Sequence, residues 1–308
     1  MASVVVADRL TKSYGSTRGV VELTFEVDAG EVFGFLGPNG AGKTTTIRTM
    51  LDLIRPTEGG ITVFGLRPRD DAPAIHARVG YLPGELALYE RMTALELLSA
   101  FGSFRGGVAR SRIDALAERL GLDLTRRIRS LSHGNKQKVG LVLAFAHEPE
   151  LLILDEPTQG LDPLMQQEFY AMIDEARSRG ATVFLSSHVM PEVERVCDRV
   201  AIIREGRLVT VADVGELKAR AVRRLAFHFD GPAPLQAFTS LPSVRDAEAH
   251  GDTLRLTVQG VVDPVVKEAA RHTVVSMESE EASLEEIFLA IYRDGTHRDA
   301  SDGDGSDG

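Results

Sequence analysis

Residues 37–45 read Gly-Pro-Asn-Gly-Ala-Gly-Lys-Thr-Thr, between the apolar run Val32-Phe33-Gly34-Phe35-Leu36 and the segment Ile47-Arg48-Thr49-Met50-Leu51. This is the pattern of a buried strand that runs through a glycine-rich loop into a helix, and few folds accommodate it. A polyphosphate carries more charge than a few side chains can neutralise, so backbone N–H groups must turn inward around it. Gly37, Gly40 and Gly42 permit that turn. The helix that follows points its positive end at the same place. Lys43 is expected to reach the β- and γ-phosphates, and the Thr44 hydroxyl suits Mg²⁺. The loop therefore predicts a nucleoside triphosphate site. A glycine-rich turn without a ligand is the bland alternative, and the flanking strand and helix speak against it.

Other segments supply the remaining chemistry. Leu151-Leu152-Ile153-Leu154-Asp155-Glu156 is an apolar strand ending in two carboxylates. Asp155 falls where a phosphate-bound Mg²⁺ would sit, and Glu156 can orient or deprotonate an attacking water. A plain helix cap is the alternative for such an acid pair. Leu131-Ser132-His133-Gly134-Asn135-Lys136-Gln137 opens a helix, so Ser132 is either part of a second anion site or an ordinary N-cap. Phe184-Leu185-Ser186-Ser187-His188 places a histidine just past a buried strand, within reach of a γ-phosphate or in a capping role.

At 308 residues and 43% hydrophobic content the chain has room for two domains with real cores. A net charge of −10 excludes a non-specific nucleic-acid binder. Cys197, the single cysteine, allows no internal disulfide and suits a reducing compartment. Met1 to Asp8 has no secretory leader, and no apolar run is long enough to span a bilayer, so any spanning is expected of another polypeptide. Strands are predicted at 4–7, 20–27, 32–36, 61–64, 79–82, 151–154, 181–185, 200–203 and 207–211. Helices are predicted at 42–53, 93–120, 134–146 and 163–179. Beyond about Glu216 the pattern changes to alternating strands around Leu225–Phe229 and Leu254–Val258, a helix over 262–271, a strand over 273–277 and a capped helix over 284–292. The tail 296–308 is acidic and lacks large apolar residues, and it is expected to be disordered.

Taken in order, these motifs resemble the ATP-binding subunit of ABC transporters, over about residues 4–215. The resemblance implies a P-loop NTPase fold, a RecA-like core with a β-subdomain and a helical subdomain at about 84–148, plus a small α+β accessory domain at 216–295. It implies ATP and Mg²⁺ as ligands. Tyr14 would stack on adenine, and Gly37, Pro38, Asn39, Gly40, Ala41, Gly42, Lys43, Thr44 and Thr45 would form the Walker A loop. Asp155 and Glu156 would be the Walker B pair, Gly160–Pro163 with Asp162 the D-loop, and His188 the switch histidine. Ser132, Gly134 and Asn135 belong to the signature, which departs from Leu-Ser-Gly-Gly-Gln at His133 and Asn135. The loop that usually supplies a Gln reads Tyr81-Leu82-Pro83-Gly84-Glu85, and Glu85 is the candidate to take part of that role at Mg²⁺.

Both departures, together with Leu284-Glu285-Glu286-Ile287-Phe288, are similar to the exporter branch called ABC type 2. That implies a homodimer closing head to tail around two ATP at the cytoplasmic face of the membrane. Separate permease subunits, not this chain, would meet the exported molecule. They would dock on a groove near Pro83–Tyr89 and the helix after Thr93, where Leu88, Tyr89, Met92 and Phe101 are candidates. The alternatives are a soluble, non-transport ATPase of the same family and a non-hydrolysing scaffold. A single ATPase unit, the short interval from Lys43 to Ser132, and the presence of Glu156 and His188 weigh against them.

Overall fold

Two long strands, β1 (Ser3–Tyr14) and β2 (Thr17–Asp28), pair antiparallel and turn alternate apolar residues inward, among them Val5, Ala7, Leu10, Val20, Leu23 and Phe25. This computed structural model describes residues 2–15, 17–104, 107–220 and 222–281. The predicted helix at 284–292 and the acidic tail lie outside the described residues.

Next come β3 (Val32–Leu36), α1 (Lys43–Met50), β4 (Glu58–Val63), α2 (Pro68–Arg78) and β5 (Val79–Leu82). A helical stretch follows, with α3 (Ala94–Phe104), α4 (Arg110–Arg119) and α5 (His133–Phe145). Then β6 (Leu151–Asp155), α6 (Pro163–Ser178), β7 (Thr182–Ser187), α7 (Met190–Val196), β8 (Arg199–Arg204) and β9 (Arg207–Asp213) complete the first unit. The six-stranded sheet has the order β5-β6-β7-β3-β8-β9, and β5, β6, β7, β3 and β8 pair parallel to their neighbours. Covered on both faces, β3, β6 and β7 are buried along their whole length. The order β2-β1-β4 forms a separate antiparallel sheet.

A shared apolar core joins the two sheets. Phe25 of β2 stacks 5.9 Å from Phe33 and lies tilted 5.3 Å from Phe35, and Phe35 lies 5.2 Å from Phe184 of β7. Each such ring contributes roughly 2–3 kcal/mol by burial, so this quartet fixes the central strand that carries the glycine-rich loop. Cys197, just after α7, is buried, and a Cβ placed on Gly34 would meet its Sγ at 3.0 Å. Burial pushes its thiol pKa far up.

The chain divides between Ala212 and Asp213, so the last residue of β9 already belongs to the second unit. The second unit opens with α8 (Val214–Arg220) and continues through β10 (Val222–Phe229), α9 (Leu235–Thr239), β11 (Val244–His250), β12 (Thr253–Gln259), α10 (Asp263–Ala269) and β13 (Val274–Glu281). From β10 on this is β-α-β-β-α-β, with all pairs antiparallel and sheet order β11-β12-β10-β13, the ferredoxin-like arrangement. Its core is its own: Leu225, Phe227, Phe229, Leu254, Leu256 and Val258 pack with Phe238 of α9 and Val265 of α10.

Some elements differ from expectation. The stretch predicted as one helical pattern over 93–120 is two helices, with Gly107 at φ +98 between them. Helix α2 was not predicted, because it contains Pro73, is kinked at Asp71 and buries only Pro68 and Ile75. Strand β11 was also not predicted, since its inward residues are the small Ala247 and Ala249. No helix among the described residues is long and apolar enough to cross a membrane.

Candidate active site

Parallel pairing brings four strand ends to one edge. Leu36 pairs with Ser187, Asp155 with Ser186, and Leu82 with Leu154. The loops after β3, β5, β6 and β7 therefore leave the sheet side by side, where ligands of open α/β sheets bind. Backbone bonds tie them together: Gly37 N–H donates to Ser187 O at 3.3 Å and Glu156 N–H to Ser186 O at 3.1 Å.

The glycine-rich loop is shaped by contacts as well as by freedom. A Cβ on Gly42 would lie 2.5 Å from Val20 Cγ1, and Gly42 has φ +108, so no other residue fits there. Lys43 is buried, and its Nζ donates to Gly37 O at 2.7 Å, which curls the side chain back beneath the loop. Above it lies a cavity of ≈ 300 Å³ that runs from Tyr14 and Gly19 past Pro38, Asn39, Gly40, Thr44 and Thr45 to Glu156. Tyr14 is half exposed and packs over Gly19, where a Cβ would meet its ring at 2.9 Å; Lys12 Nζ stands 5.2 Å from the ring centre. Ala41 faces the other way, into the core.

The two carboxylates have different surroundings. Asp155 accepts from Thr44 Oγ1 at 2.9 Å and from Ser186 Oγ. Thr44 and Asp155 thus offer adjacent hard oxygen donors, leaving further places for phosphate and water, which is the donor set Mg²⁺ prefers. Among the described residues no cluster of three or more His, Cys, Asp or Glu would hold a metal by itself. Glu156 sits at φ +51, a left-handed backbone that costs a non-glycine residue on the order of 1 kcal/mol or more. Its Oε1 lies 3.1 Å from Lys43 Nζ and its Oε2 2.8 Å from His188 Nδ1. Oε1 is buried and, despite the ion pair, accepts no aligned hydrogen bond. A carboxylate oxygen held only by this ion pair is free to accept a water or hydroxyl proton once the Lys43 ammonium turns to a phosphate.

The loop after β5 places Gly84, not Glu85, over this group. A Cβ on Gly84 would be 3.3 Å from Asp155 Oδ2, whereas Glu85 is exposed. Burial and the Asp155 charge push the nearby Tyr81 hydroxyl up to about 12.

Ser132 and Asp162 both cap helices. Ser132 Oγ accepts from Asn135 N–H at 3.3 Å at the start of α5, and Asp162 Oδ1 accepts from Met165 N–H at 3.0 Å at the start of α6. The two turns touch: a Cβ on Gly134 would lie 2.4 Å from Gly160 O, and one on Gly160 would strike the His133 ring at 2.5 Å.

Sequence reasoning passed over four residues here: Gln137, Thr158, Ser186 and Glu192. Gln137 Nε2 donates to Pro157 O at 3.0 Å, and Glu192 accepts from Thr158 Oγ1 and from Ser187 Oγ. Gln137 carried a faint signal, as a polar residue on a buried helix face with Val139, Gly140 and Leu141. Nothing local marks Glu192, which is buried, from the partly exposed Glu194. Away from the site, an apolar cleft of ≈ 250 Å³ is lined by Pro83, Leu86, Leu88, Leu98, Phe101 and Leu143, among others. Leu88 and Phe101 line this cleft, Tyr89 is largely exposed and Met92 is partly buried.

Comparison with known proteins agrees in several ways. The family model for ABC transporters matches residues 20–159. The bacitracin transport ATP-binding protein of Enterococcus faecalis is 33% identical over 302 residues, covering 96% of this chain and 98% of that protein. The linearmycin resistance ATP-binding protein of Bacillus subtilis is 34% identical and covers 92% and 97%. A solved structure of an ATP-binding subunit of an ABC transporter superposes with a TM-score of 0.65 at 32% identity, over 70% of this chain and 92% of that one.

Proposed function

Because the chain belongs to the ABC transporter family, as an ATP-hydrolysing, ATP-binding subunit, we propose that it closes head to tail on a second copy around two ATP and drives export through separate membrane-spanning subunits. The observation that carries the reading is the setting of Glu156. Its carboxylate stands between Lys43 and His188 at the mouth of the phosphate loop, with Oε1 buried against the Lys43 ammonium and Oε2 against the His188 ring.

The geometry supports the following roles. Tyr14 stacks on the adenine, the N–H groups of residues 37–45 surround the phosphates, and Lys43 turns from Glu156 to the γ-phosphate. Thr44 and Asp155 would hold Mg²⁺, which would supply charge neutralisation on the phosphate chain. Gly84 brings the loop after β5 against Asp155 without a side chain, and Glu85, the next residue, is the candidate carboxylate to reach the metal site from that loop. Glu156 takes the water proton, and His188 orients the carboxylate and contacts the γ-phosphate. Ser132, Gly134, Asn135 and Asp162 face the nucleotide of the other copy. The spanning subunits dock in the cleft around Leu88 and Phe101, hold the chain at the cytoplasmic face of the membrane and meet the cargo. Two relatives named for bacitracin and linearmycin support a cargo of drug or antibiotic type.

The test is the full chain with Glu156→Gln, given Mg-ATP. Turnover is expected to fall roughly 10²- to 10⁴-fold, the worth of a general base, with ATP binding kept and a dimer seen by light scattering. In mild detergent a multi-span membrane protein should co-purify in stoichiometric amount. Wild-type turnover in the variant would overturn the base assignment. Recovery of soluble partners alone, with the chain absent from membranes, would favour an ATPase that does not transport.

A further inference from the structure

The segment from Glu156 to Thr158 leaves β6 through a left-handed residue, and backbone in that region holds its place only when the surroundings fix it. Two buried polar side chains grip it from opposite elements. From α5, Gln137 is 1% exposed; its Nε2 donates to Pro157 O at 3.0 Å and lies 3.4 Å from Glu156 O. From α7, Glu192 is 5% exposed; it accepts from Thr158 Oγ1, and from Ser187 Oγ at 2.7 Å. Ser187 Oγ in turn accepts from Val189 N–H at 2.9 Å, so the backbone on both sides of His188 belongs to the same network.

Neither side chain lines the nucleotide cavity. A buried amide and a buried carboxylate are expensive where apolar residues would pack, unless their hydrogen bonds fix something in place. Here they fix the backbone on which Glu156 and its carboxylate's partner His188 are mounted. Gln137 holds the Glu156 carbonyl, and Glu192 holds the strand end that carries His188. Burial raises the pKa of Glu192, with the Glu156 charge adding to the effect and the two hydroxyls opposing it.

We propose that Gln137 and Glu192 are positioning residues for ATP turnover, acting only through the placement of Glu156. The proposal rests on Glu156 as the base. It adds a link: Ser132, the N-cap of α5, faces the partner's nucleotide in the proposed dimer, and Gln137 on the same helix holds this copy's own Glu156. Engagement of α5 at one site is thereby felt by the carboxylate of the other.

Gln137→Met keeps the volume and removes the donor; Gln137→Asn keeps the amide but withdraws it by one methylene. Both are expected to lower kcat by about tenfold or more, since misplacement by ~1 Å costs on the order of 100-fold. Affinity for a fluorescent ATP analogue should stay within about twofold and the melting temperature should be kept, the pattern of a group felt only in the transition state. Cooperativity in ATP concentration should weaken. Glu192→Gln, which still accepts and donates in place, should recover most of the kcat that Glu192→Leu loses. In a double-mutant cycle the Gln137→Met loss should vanish once Glu156→Gln is present. Unchanged kcat in both Gln137 variants, a loss shared equally by binding, or additivity with Glu156→Gln would overturn the proposal. Failure of the parent reading looks different: Glu156→Gln alone would turn over ATP at the wild-type rate.

Discussion

Gly134 is constrained by its own chain before any phosphate arrives. A Cβ there would sit 2.4 Å from Gly160 O, a backbone atom that cannot swing away as a side-chain tip can. Gly134→Ala is therefore expected to cost about 1–3 kcal/mol, the usual range for overpacking a tight contact, measured by urea unfolding. Because the displaced atom lies two residues before Asp162, turnover should drop as well. An unchanged midpoint would show that the turn yields freely. Residues of this kind mark how far the sequence could be read. The phosphate loop, Asp155, Glu156 and His188 were legible because each is adjacent to a buried strand and has a chemical reason for its spacing. Gln137 and Glu192 were not, because their partners lie 20 and 34 residues away and are a carbonyl and a hydroxyl. Ser132 caps α5, one of the two roles that its place before a helix allows.

At the scale of elements, α5 joins the helical layer to the sheet, and glycines on the contact set how close it lies. A Cβ on Gly80 of β5 would be 2.1 Å from Ala144 O, and one on Gly140 of α5 would be 2.5 Å from Leu82 Cδ1. Gly80→Ala must push the helix away from β5. The expected result is a loss of about 1–3 kcal/mol and a fall in turnover, since Ser132 and Gln137 travel with the helix; an unperturbed turnover with reduced stability would mean that the displacement dies out before Gln137. On the far side, Arg119 of α4 forks between Glu168 and Glu175 of α6, at 2.7 Å to the latter, so α4 is tied to the helix that Asp162 opens. Elements of this unit were legible where burial is continuous, as in β3, β6 and β7, or where Pro163 and Gly180 punctuate a periodic run, as in α6. They were illegible where small residues do the packing, as in β11, or where a proline interrupts a short amphipathic turn, as in α2.

For the whole molecule, two cores with no residue in common predict two unfolding events. One core runs from Val5 to Ile203 and the other from Leu225 to Ala269. Scanning calorimetry should resolve two transitions, and Phe238→Ala should shift one alone. The loss of a buried ring costs about 3–5 kcal/mol, enough to lower a transition of a domain this small by more than about 10 °C. A single transition that moves as one would show that the cores melt together. The class of the second unit, α+β, was readable from its alternating strands, but its ferredoxin-like order was not, because pairing of β10 between β12 and β13 is a long-range choice that local patterns do not encode. The chain's single thiol, Cys197, is packed against Gly34 and held protonated by burial, so alkylating and spin-labelling reagents have no foothold on it. Any cysteine introduced at the surface would then be a unique attachment point, and paired labels near Ser132 and Thr45 would report directly how near two copies come.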